Sequence, residues 1–162
     1  MVIDLFQRFL NRIAYFIPGG YRIRPLIHRL RGVHIGKNVW ISRYVYIDEL
    51  HPEAVIIEDN SSIGLRTSIF THLYWGPKKT AEHAGKVHID ENVFIGPHCV
   101  ILPNVHIGKN TVVQAGTVVS RDVPPETLWG LPKSGPIARV TIPLTHHHSY
   151  EEFIKGLRPI RK

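Results

Sequence analysis

Residues 87–123, VHIDENVFIGPHCVILPNVHIGKNTVVQAGTVVSRDV, decide the fold of this chain. An aliphatic residue returns at every sixth position, and a column of small or β-branched residues follows it four positions later. The first column is Ile89, Ile95, Ile101, Ile107, Val113 and Val119, and the second is Val93, Cys99, Val105, Thr111, Thr117 and Val123. Helices space apolar residues three and four apart and half-buried strands space them two apart, so a fixed period of six indicates a repeat protein.

The same phase continues upstream in two further sets, Ile35, Ile41, Ile47 and Ile57, Ile63, Ile69. The step from Ile47 to Ile57 is ten residues and the step from Ile69 to Ile89 is twenty, so insertions of four and fourteen residues separate the sets. The twelve hexads therefore group as four triplets. This grouping predicts four stacked coils with three short faces each, and both insertions are expected at one corner of the stack.

Such a stack is small. Four coils at the strand spacing of about 4.8 Å make a prism only about 20 Å tall. Repeat stacks of this size bury little apolar surface and usually need end caps or partner subunits. We therefore expect a homo-oligomer.

The units IGKNVW, IDENVF, IGPHCV and IGKNTV resemble those of the hexapeptide-repeat acyltransferases, particularly the maltose and galactoside O-acetyltransferase branch. The closing segment VVQAGTVVSRDVPPETLWGLPKSGPIARV is similar to the last coil of that family. The resemblance implies an all-β solenoid, a left-handed parallel β-helix, with a homotrimer as the assembly. It also implies a CoA-dependent O-acyltransferase that uses acetyl-CoA as the acyl donor without a metal, and a hydroxyl of a sugar or glycan precursor as the acceptor. We expect a basic helical cap over residues 1–31, the β-helix over 32–140 with a loop insertion over 72–86, and a C-terminal tail over 141–162.

Acyl transfer from a thioester to a hydroxyl needs a general base, and histidine titrates in the right range. In the family this base lies in the loop that leaves the stack after an aliphatic hexad. The corresponding segment here is SIFTHLYWG, which makes His72 the expected base and leaves His98, at a turn after Ile95, as the alternative. The neighbouring Cys99 belongs to the inward column, so we expect a buried thiol that is not a nucleophile.

The resemblance also implies where coenzyme A and the acceptor bind. It places coenzyme A along the last coils between neighbouring subunits, at Phe94, Pro97, Ala115, Gly116, Ser120, Arg121 and Lys133. The insertion after His72 would overhang the acceptor with Tyr74 and Trp75. Arg66 stands where the galactoside branch carries an asparagine that binds the acceptor, so a simple galactoside is not expected.

The N-terminal segment carries most of the positive charge. Residues 1–31 contain six arginines and one acid, in a chain of net charge +7, and their apolar residues recur at helical spacing. Two interpretations stay open: a helical cap over the first coil, or an amphipathic segment that rests on an anionic membrane. Nucleic acid binding is not expected, because no recognisable module accompanies the charge.

The cellular location follows from what the sequence contains. It has no run of eighteen apolar residues and no secretory leader pattern, and its single cysteine is compatible with a reducing compartment. We expect a cytoplasmic protein, with peripheral contact to the inner face of the membrane as an option.

Two other functions remain open. His72, His83 and His88 could serve a zinc-dependent hydratase that resembles the γ-type carbonic anhydrases of this fold class. The second open function is a non-catalytic scaffold that uses the prism only for assembly. The internal run His146–His148 is expected on the surface, without the separated geometry of a metal site.

Overall fold

The computed structural model describes residues 2–72, 85–130, 138–142 and 149–159. In these residues thirteen short parallel strands form three sheets. Sheet A contains β1 (His34–Ile35), β4 (Val55–Ile57), β7 (Val87–Ile89) and β10 (Val105–Ile107). Sheet B contains β2 (Trp40–Ile41), β5 (Ser62–Ile63), β8 (Phe94–Ile95), β11 (Val112–Val113) and β13 (Leu128–Trp129). Sheet C contains β3 (Tyr46–Ile47), β6 (Ser68–Ile69), β9 (Val100–Ile101) and β12 (Val118–Val119).

The strand register confirms the four coils predicted from the period of six. Ile35 pairs with Ile57, Ile57 with Ile89, and Ile107 with Ile89, so each coil stacks on the next in phase. Side chains of the aliphatic column point inward and form one buried core. Both insertions leave at the corner between sheets C and A, and the first contains a short 3-10 helix, Pro52–Ala54.

The corners depend on residues that accept a left-handed backbone. Asn38, Asn60, Asn92 and Asn110 have φ values of 54°, 58°, 58° and 56° between sheets A and B. Asparagine tolerates this region better than most residues. The side-chain amides also stack, because Asn38 Nδ2 donates to Asn60 Oδ1 at 3.3 Å and Asn92 Nδ2 donates to Asn110 Oδ1 at 3.2 Å.

Two helices, α1 (Val2–Phe16) and α2 (Ile23–Leu30), close the open edge of the first coil. The buried Arg24 donates to the carbonyl oxygens of Ile41 and Ile17, each at 2.7 Å. The buried Arg31 donates to the carbonyl oxygens of Ile47 at 3.0 Å and Asp48 at 2.8 Å. In a longer stack the carbonyl groups of Ile41 and Ile47 would pair with a preceding rung, and here the two arginines satisfy them.

The α2 helix buries two basic side chains together with Pro25 and Ile27, and it leaves several aliphatic side chains exposed. Arg24 and His28 lie on its buried face, whereas Ile23, Leu26 and Leu30 are exposed. Two of the six N-terminal arginines are therefore inside the protein, where they bind backbone instead of solvent. Among the described residues, no helix is long and apolar enough to cross a membrane.

The chain divides into two compact units, Met1–Leu131 and Pro132–Lys162. In the second unit β14 (Ala138–Val140) pairs antiparallel with β15 (Leu157–Pro159), and α3 (Tyr150–Lys155) precedes β15. The sequence placed residues 138–140 in the β-helix. The structure differs there, because these residues pair with β15, and the last rung strand among the described residues is β13.

The cap contains a histidine with a strongly shifted pKa. His28 is fully buried, and its Nδ1 lies 2.9 Å from Arg31 Nη1, which can only donate, so Nδ1 accepts. Burial, together with the charges of Arg31 and Arg24, lowers the pKa of His28 from 6.5 to about 3. Protonation of this ring would place another positive charge beside two buried guanidinium groups.

The substitution His28→Asn is expected to change how stability depends on pH. The unfolded chain binds a proton on His28 below pH 6.5, whereas the folded protein keeps the ring neutral down to about pH 3. The free energy of unfolding of the wild type therefore falls with decreasing pH in this window, by up to about 1.4 kcal/mol per pH unit. Asparagine keeps an acceptor for Arg31 and does not titrate. Urea unfolding measures the free energy of unfolding of both proteins. Between about pH 6.5 and pH 5, the value for the variant relative to the wild type should increase by about 2 kcal/mol.

The exposed His34 provides the control, since His34→Asn removes a histidine without touching the cap. The difference in free energy of unfolding between His34→Asn and the wild type should change little over the same pH range. An equal pH dependence of the two variants would contradict the assignment of a neutral, buried His28.

Candidate active site

The corner between sheets C and A holds a histidine paired with a buried carboxylate. His72 Nδ1 lies 2.6 Å from Asp48 Oδ2. The Asp48 side chain is 0% exposed, whereas the His72 side chain is 16% exposed. The carboxylate also accepts hydrogen bonds from the backbone N–H groups of Thr71 at 2.7 Å and Leu50 at 2.9 Å. The imidazole is thus held by a fixed acceptor and stays partly open to solvent.

The stacking of two coils brings this pair together. In sheet C, Ile47 of β3 pairs with Ile69 of β6, and the backbone N–H of Asp48 donates to the Ile69 carbonyl at 3.0 Å. Asp48 is the first residue after β3, and His72 is the third after β6. Both side chains therefore leave the same edge of sheet C on neighbouring coils.

The hydrogen bonds fix the protonation of the pair. Burial alone would raise the pKa of Asp48, but hydrogen bonds from Thr71, Leu50 and His72 outweigh it and lower the pKa from its ordinary value of 3.8. At neutral pH the carboxylate is ionised and can only accept, so His72 Nδ1 carries a proton and donates it. In the neutral imidazole, Nε2 is then the basic nitrogen. This is the arrangement that a general base requires.

His98, the alternative base, lies at the corner between sheets B and C. Its φ is 59° and its backbone N–H donates to the Leu65 carbonyl at 2.7 Å, while its side chain is exposed. Arg66 occupies the same corner one coil earlier, with its guanidinium 5.5 Å from the ring centroid of Tyr44. Sheet C separates His98 and Arg66 from His72.

Three of the residues expected to bind coenzyme A share the corner of His98. Pro97, Ala115 and Gly116 are exposed there, and the Gly116 N–H donates to the Pro97 carbonyl at 2.9 Å. Gly116 has a φ of 73°, and a Cβ built on it would meet nothing within 4 Å. This position therefore leaves room for a ligand close to the backbone. Phe94, on the outer side of β8, is 49% exposed.

Two other expected coenzyme A residues lie elsewhere. Ser120 and Arg121 follow β12 at the edge of sheet C, on the corner of His72 but two coils further along the stack. The Arg121 guanidinium lies 5.3 Å from the ring centroid of Trp129. One chain therefore distributes the predicted residues over two corners, and His72 shares its corner with only part of them.

Cys99 is buried, as the inward column predicts. Its Sγ lies 3.1 Å from the Gln114 carbonyl oxygen, and burial raises the pKa of the thiol. A protonated, buried thiol does not act as a nucleophile. The remaining candidates lie outside the described residues: Tyr74, Trp75, His83, Lys133 and His146–His148.

Sequence reasoning missed Asp48. The residue follows the aliphatic column, in a position that glycine, aspartate or other small polar residues occupy in several hexads, so its type alone carries no signal. The signal that could have found Asp48 is the number of residues between paired positions of neighbouring coils. Ile47 and Ile69 are 22 residues apart, which places Asp48 beside Phe70 and close to His72 once the first insertion is counted.

The substitution Asp48→Asn tests how this pair is held. An amide nitrogen cannot accept the hydrogen bonds that the carboxylate receives, so a buried N–H group loses its partner and the free energy of unfolding should fall by about 1–3 kcal/mol at neutral pH. Because the pKa of Asp48 is lowered in the fold, the wild-type advantage is present above about pH 4 and is lost as the pH falls through the folded pKa. Denaturant unfolding measures both effects.

Asp59→Asn is the matched control, since Asp59 accepts one described backbone N–H, that of Lys37, and an amide oxygen can replace it. Equal losses in both variants would contradict the role given to Asp48.

Comparison with known proteins agrees with the fold. The family described as "Bacterial transferase hexapeptide (six repeats)" matches residues 86–121. Two relatives carry the name "putative acetyltransferase". YvoF of Bacillus subtilis strain 168 is 39% identical over 90 residues, which cover 56% of this chain and 51% of YvoF. SAV2555 of Staphylococcus aureus strain Mu50 is 34% identical over 134 residues, which cover 79% of this chain and 62% of SAV2555.

A solved structure shows the same architecture. The hexapeptide-repeat acetyltransferase VCA0836 of Vibrio cholerae O1 biovar eltor, in complex with acetyl-coenzyme A, superimposes with a TM-score of 0.63 at 24% identity. The match covers 80% of this chain and 82% of that one. The matches to the two curated relatives span only 51% and 62% of their lengths. The six-residue period, the three parallel sheets and the likeness to the Vibrio structure show that the chain has the left-handed parallel β-helix fold of hexapeptide-repeat proteins.

Proposed function

We propose that the protein is an acyltransferase that moves an acetyl group from coenzyme A to a hydroxyl, with His72 as the general base. The pairing of His72 with the buried Asp48 is the observation that carries the proposal. The names of the two curated relatives and the acetyl-coenzyme A bound to the similar Vibrio protein support the reaction class and the donor.

The transfer takes place directly in a complex of both substrates. His72 Nε2 accepts the proton of the acceptor hydroxyl while the oxygen attacks the thioester carbonyl. Backbone N–H groups stabilise the oxyanion of the tetrahedral intermediate. The C–S bond then breaks, and the leaving thiolate takes the proton back from the His72 imidazolium. Asp48 holds the ring through Nδ1 and stabilises the transient positive charge.

The active site forms between subunits of a homotrimer. Pro97, Ala115 and Gly116 lie at one corner of the prism and His72 at another, so a neighbouring copy is needed to bring a coenzyme A groove and the base together. The outer side of sheet B supports such an interface. It carries an exposed apolar row in register, with Phe94 beside Val112 and Val112 beside Leu128. Burial of this row against another copy is favourable.

The acceptor is a sugar or glycan precursor. At its left-handed corner the Arg66 guanidinium lies over the ring of Tyr44, 5.5 Å from its centroid, so a charged donor and an aromatic side chain come together at one place. Aromatic faces and charged donors of this kind bind the apolar and hydroxyl surfaces of a sugar ring. The further acceptor residues expected from the sequence, Tyr74 and Trp75, lie outside the described residues.

The substitution His72→Ala should lower the turnover number by about 10²- to 10⁴-fold, the usual range for a lost general base. The affinity for coenzyme A should change little, because the imidazole acts on the acceptor. Release of the coenzyme A thiol, followed across a panel of sugars, nucleotide sugars and amines, measures the turnover. Calorimetric titration with coenzyme A measures the affinity.

His98→Ala is the matched control for this experiment. It removes an exposed histidine from the neighbouring corner and should keep most of the turnover. The opposite result, with activity lost in His98→Ala and kept in His72→Ala, would reassign the base to His98. Acetyl-coenzyme A at a hundredfold excess over its dissociation constant should add about 2.7 kcal/mol to the free energy of unfolding of the wild-type protein. If it does not stabilise the wild type, the result favours the non-catalytic scaffold.

We further infer that the helical cap rests on the anionic inner surface of a membrane. Leu5, Phe9, Arg12 and Phe16 share one face of α1, and all four are exposed. On α2 the exposed face carries Ile23, Leu26 and Leu30. Apolar rings and aliphatic chains next to arginine match the boundary between lipid headgroups and acyl chains.

Binding to lipid vesicles tests this inference. The double substitution Phe9→Ser with Phe16→Ser removes two rings of this face that are 60% and 65% exposed. It should lower binding to vesicles of phosphatidylcholine and phosphatidylserine at least about tenfold, because each buried aromatic ring contributes about 1.5–3 kcal/mol. Sedimentation with the vesicles measures the bound fraction. Ile154→Ser, an exposed apolar residue of α3, is the control and should bind like the wild type. Equal binding of both variants would exclude the cap as the membrane contact.

A further inference from the structure

The outer face of sheet A carries a cluster of imidazole and carboxylate groups away from the His72 corner. His106 Nε2 lies 2.7 Å from Asp90 Oδ1, and His88 Nε2 lies 3.6 Å from the same oxygen. His88 Nε2 is also 2.7 Å from Glu58 Oε1. The ligand atoms of His88, Asp90 and His106 all lie within 4.8 Å of one another.

The coil register creates this cluster. His88 of β7 pairs directly with His106 of β10, and their rings stack with centroids 5.0 Å apart. Asp90 follows β7, and Glu58 occupies the corresponding position after β4 one coil earlier. The four side chains therefore come from three successive coils and converge on one edge of the sheet.

The electrostatic surroundings favour a cation. The Asp122 carboxylate accepts the backbone N–H of His106 at 2.8 Å, so three carboxylates surround the two imidazoles. In the part of the chain that the structure describes, Glu58 and Asp90 pair with histidines and with no lysine or arginine side chain.

The geometry also suits a small transition-metal ion. Zinc binds histidine nitrogen at about 2.0–2.1 Å and carboxylate oxygen at about 2.0–2.2 Å, so ligand atoms of a tetrahedral site are about 3.3–3.5 Å apart. The distance of 3.6 Å from His88 Nε2 to Asp90 Oδ1 is close to this value. The shorter contact of Asp90 with His106 would open by about 0.6–0.8 Å when a metal ion replaces the shared proton.

We propose that His88, Asp90 and His106 form a binding site for zinc or a similar divalent transition metal, with Glu58 or water as the fourth ligand. Two imidazoles and a carboxylate select such ions over magnesium and calcium, which prefer all-oxygen sites. The bound ion would link the last two coils from the outside, across strands that are only three residues long. Its role is structural and independent of the proposed acyl transfer. By sequence alone His72, His83 and His88 are conceivable ligands of one metal ion, whereas the structure pairs His72 with Asp48 and gives His88 different partners.

Zinc titration of the full chain tests the site. The background protein carries His146→Gln, His147→Gln and His148→Gln, because a run of histidines binds zinc by itself. After removal of metal with a chelator and dialysis, this protein should bind one zinc ion per chain in a calorimetric titration. Its Tm should rise by about 5 °C or more at a hundredfold excess over the dissociation constant, and magnesium should have no such effect. The visible absorption of bound Co²⁺ reports whether the coordination is tetrahedral.

The variants identify the ligands. His88→Gln with His106→Gln should abolish the stoichiometric binding and the shift in Tm. His34→Gln is the matched control, since His34 lies in the same outward row of sheet A, with Ile56 between it and His88, and it should bind zinc like the background protein. Asp90→Asn keeps the side-chain shape and should lower the affinity at least about tenfold, which provides a readout if the double variant does not fold. No zinc binding by the background protein, or equal binding by all variants, would overturn the proposal and leave the cluster as a set of hydrogen bonds.

Discussion

The open edge of the first coil is the constraint on which the rest of the structure depends. A rung in the middle of the stack satisfies its backbone groups against the rungs on both sides, whereas the first rung has a neighbour on one side only. Here guanidinium groups supply the missing donors, since Arg24 binds the Ile41 carbonyl and Arg31 binds the Ile47 carbonyl. Arginine suits this position because its fixed fork of N–H groups can reach several carbonyl oxygens at once.

The same edge is connected to the candidate active site. Arg31 donates to the main-chain carbonyl of Asp48, and the Asp48 carboxylate holds His72. One residue is thus anchored from both its backbone and its side chain. The imidazole of the proposed base therefore rests on an arrangement that begins in α2, so the helical front end supports the candidate active site as well as the folding of the stack.

Much of the fold follows from the sequence because the repeat has a fixed phase. The columns of Ile89 and Val93 predict coils, register and burial, and they also predict an inaccessible Cys99. The pairing of Asp48 with His72 does not follow, because the two residues belong to different coils and an insertion changes the offset between them. Arg24 and Arg31 escape prediction for another reason. Charged residues on a short helix normally face water. Arg24 and Arg31 are buried because they donate hydrogen bonds to the unpaired carbonyls of the first rung.

The corner between sheets C and A is where both insertions leave the stack, and it also holds His72. Strands on either side keep their register whether this connection has three residues, as between β9 and β10, or many more, as between β6 and β7. Mutations that lengthen or shorten the loop therefore leave the hydrogen-bonded rungs intact, although the second insertion follows His72 directly in the sequence. In evolutionary terms, the scaffold separates the residues that maintain the fold from those next to the candidate active site, and sequence changes in the loop can arise there at small cost in stability.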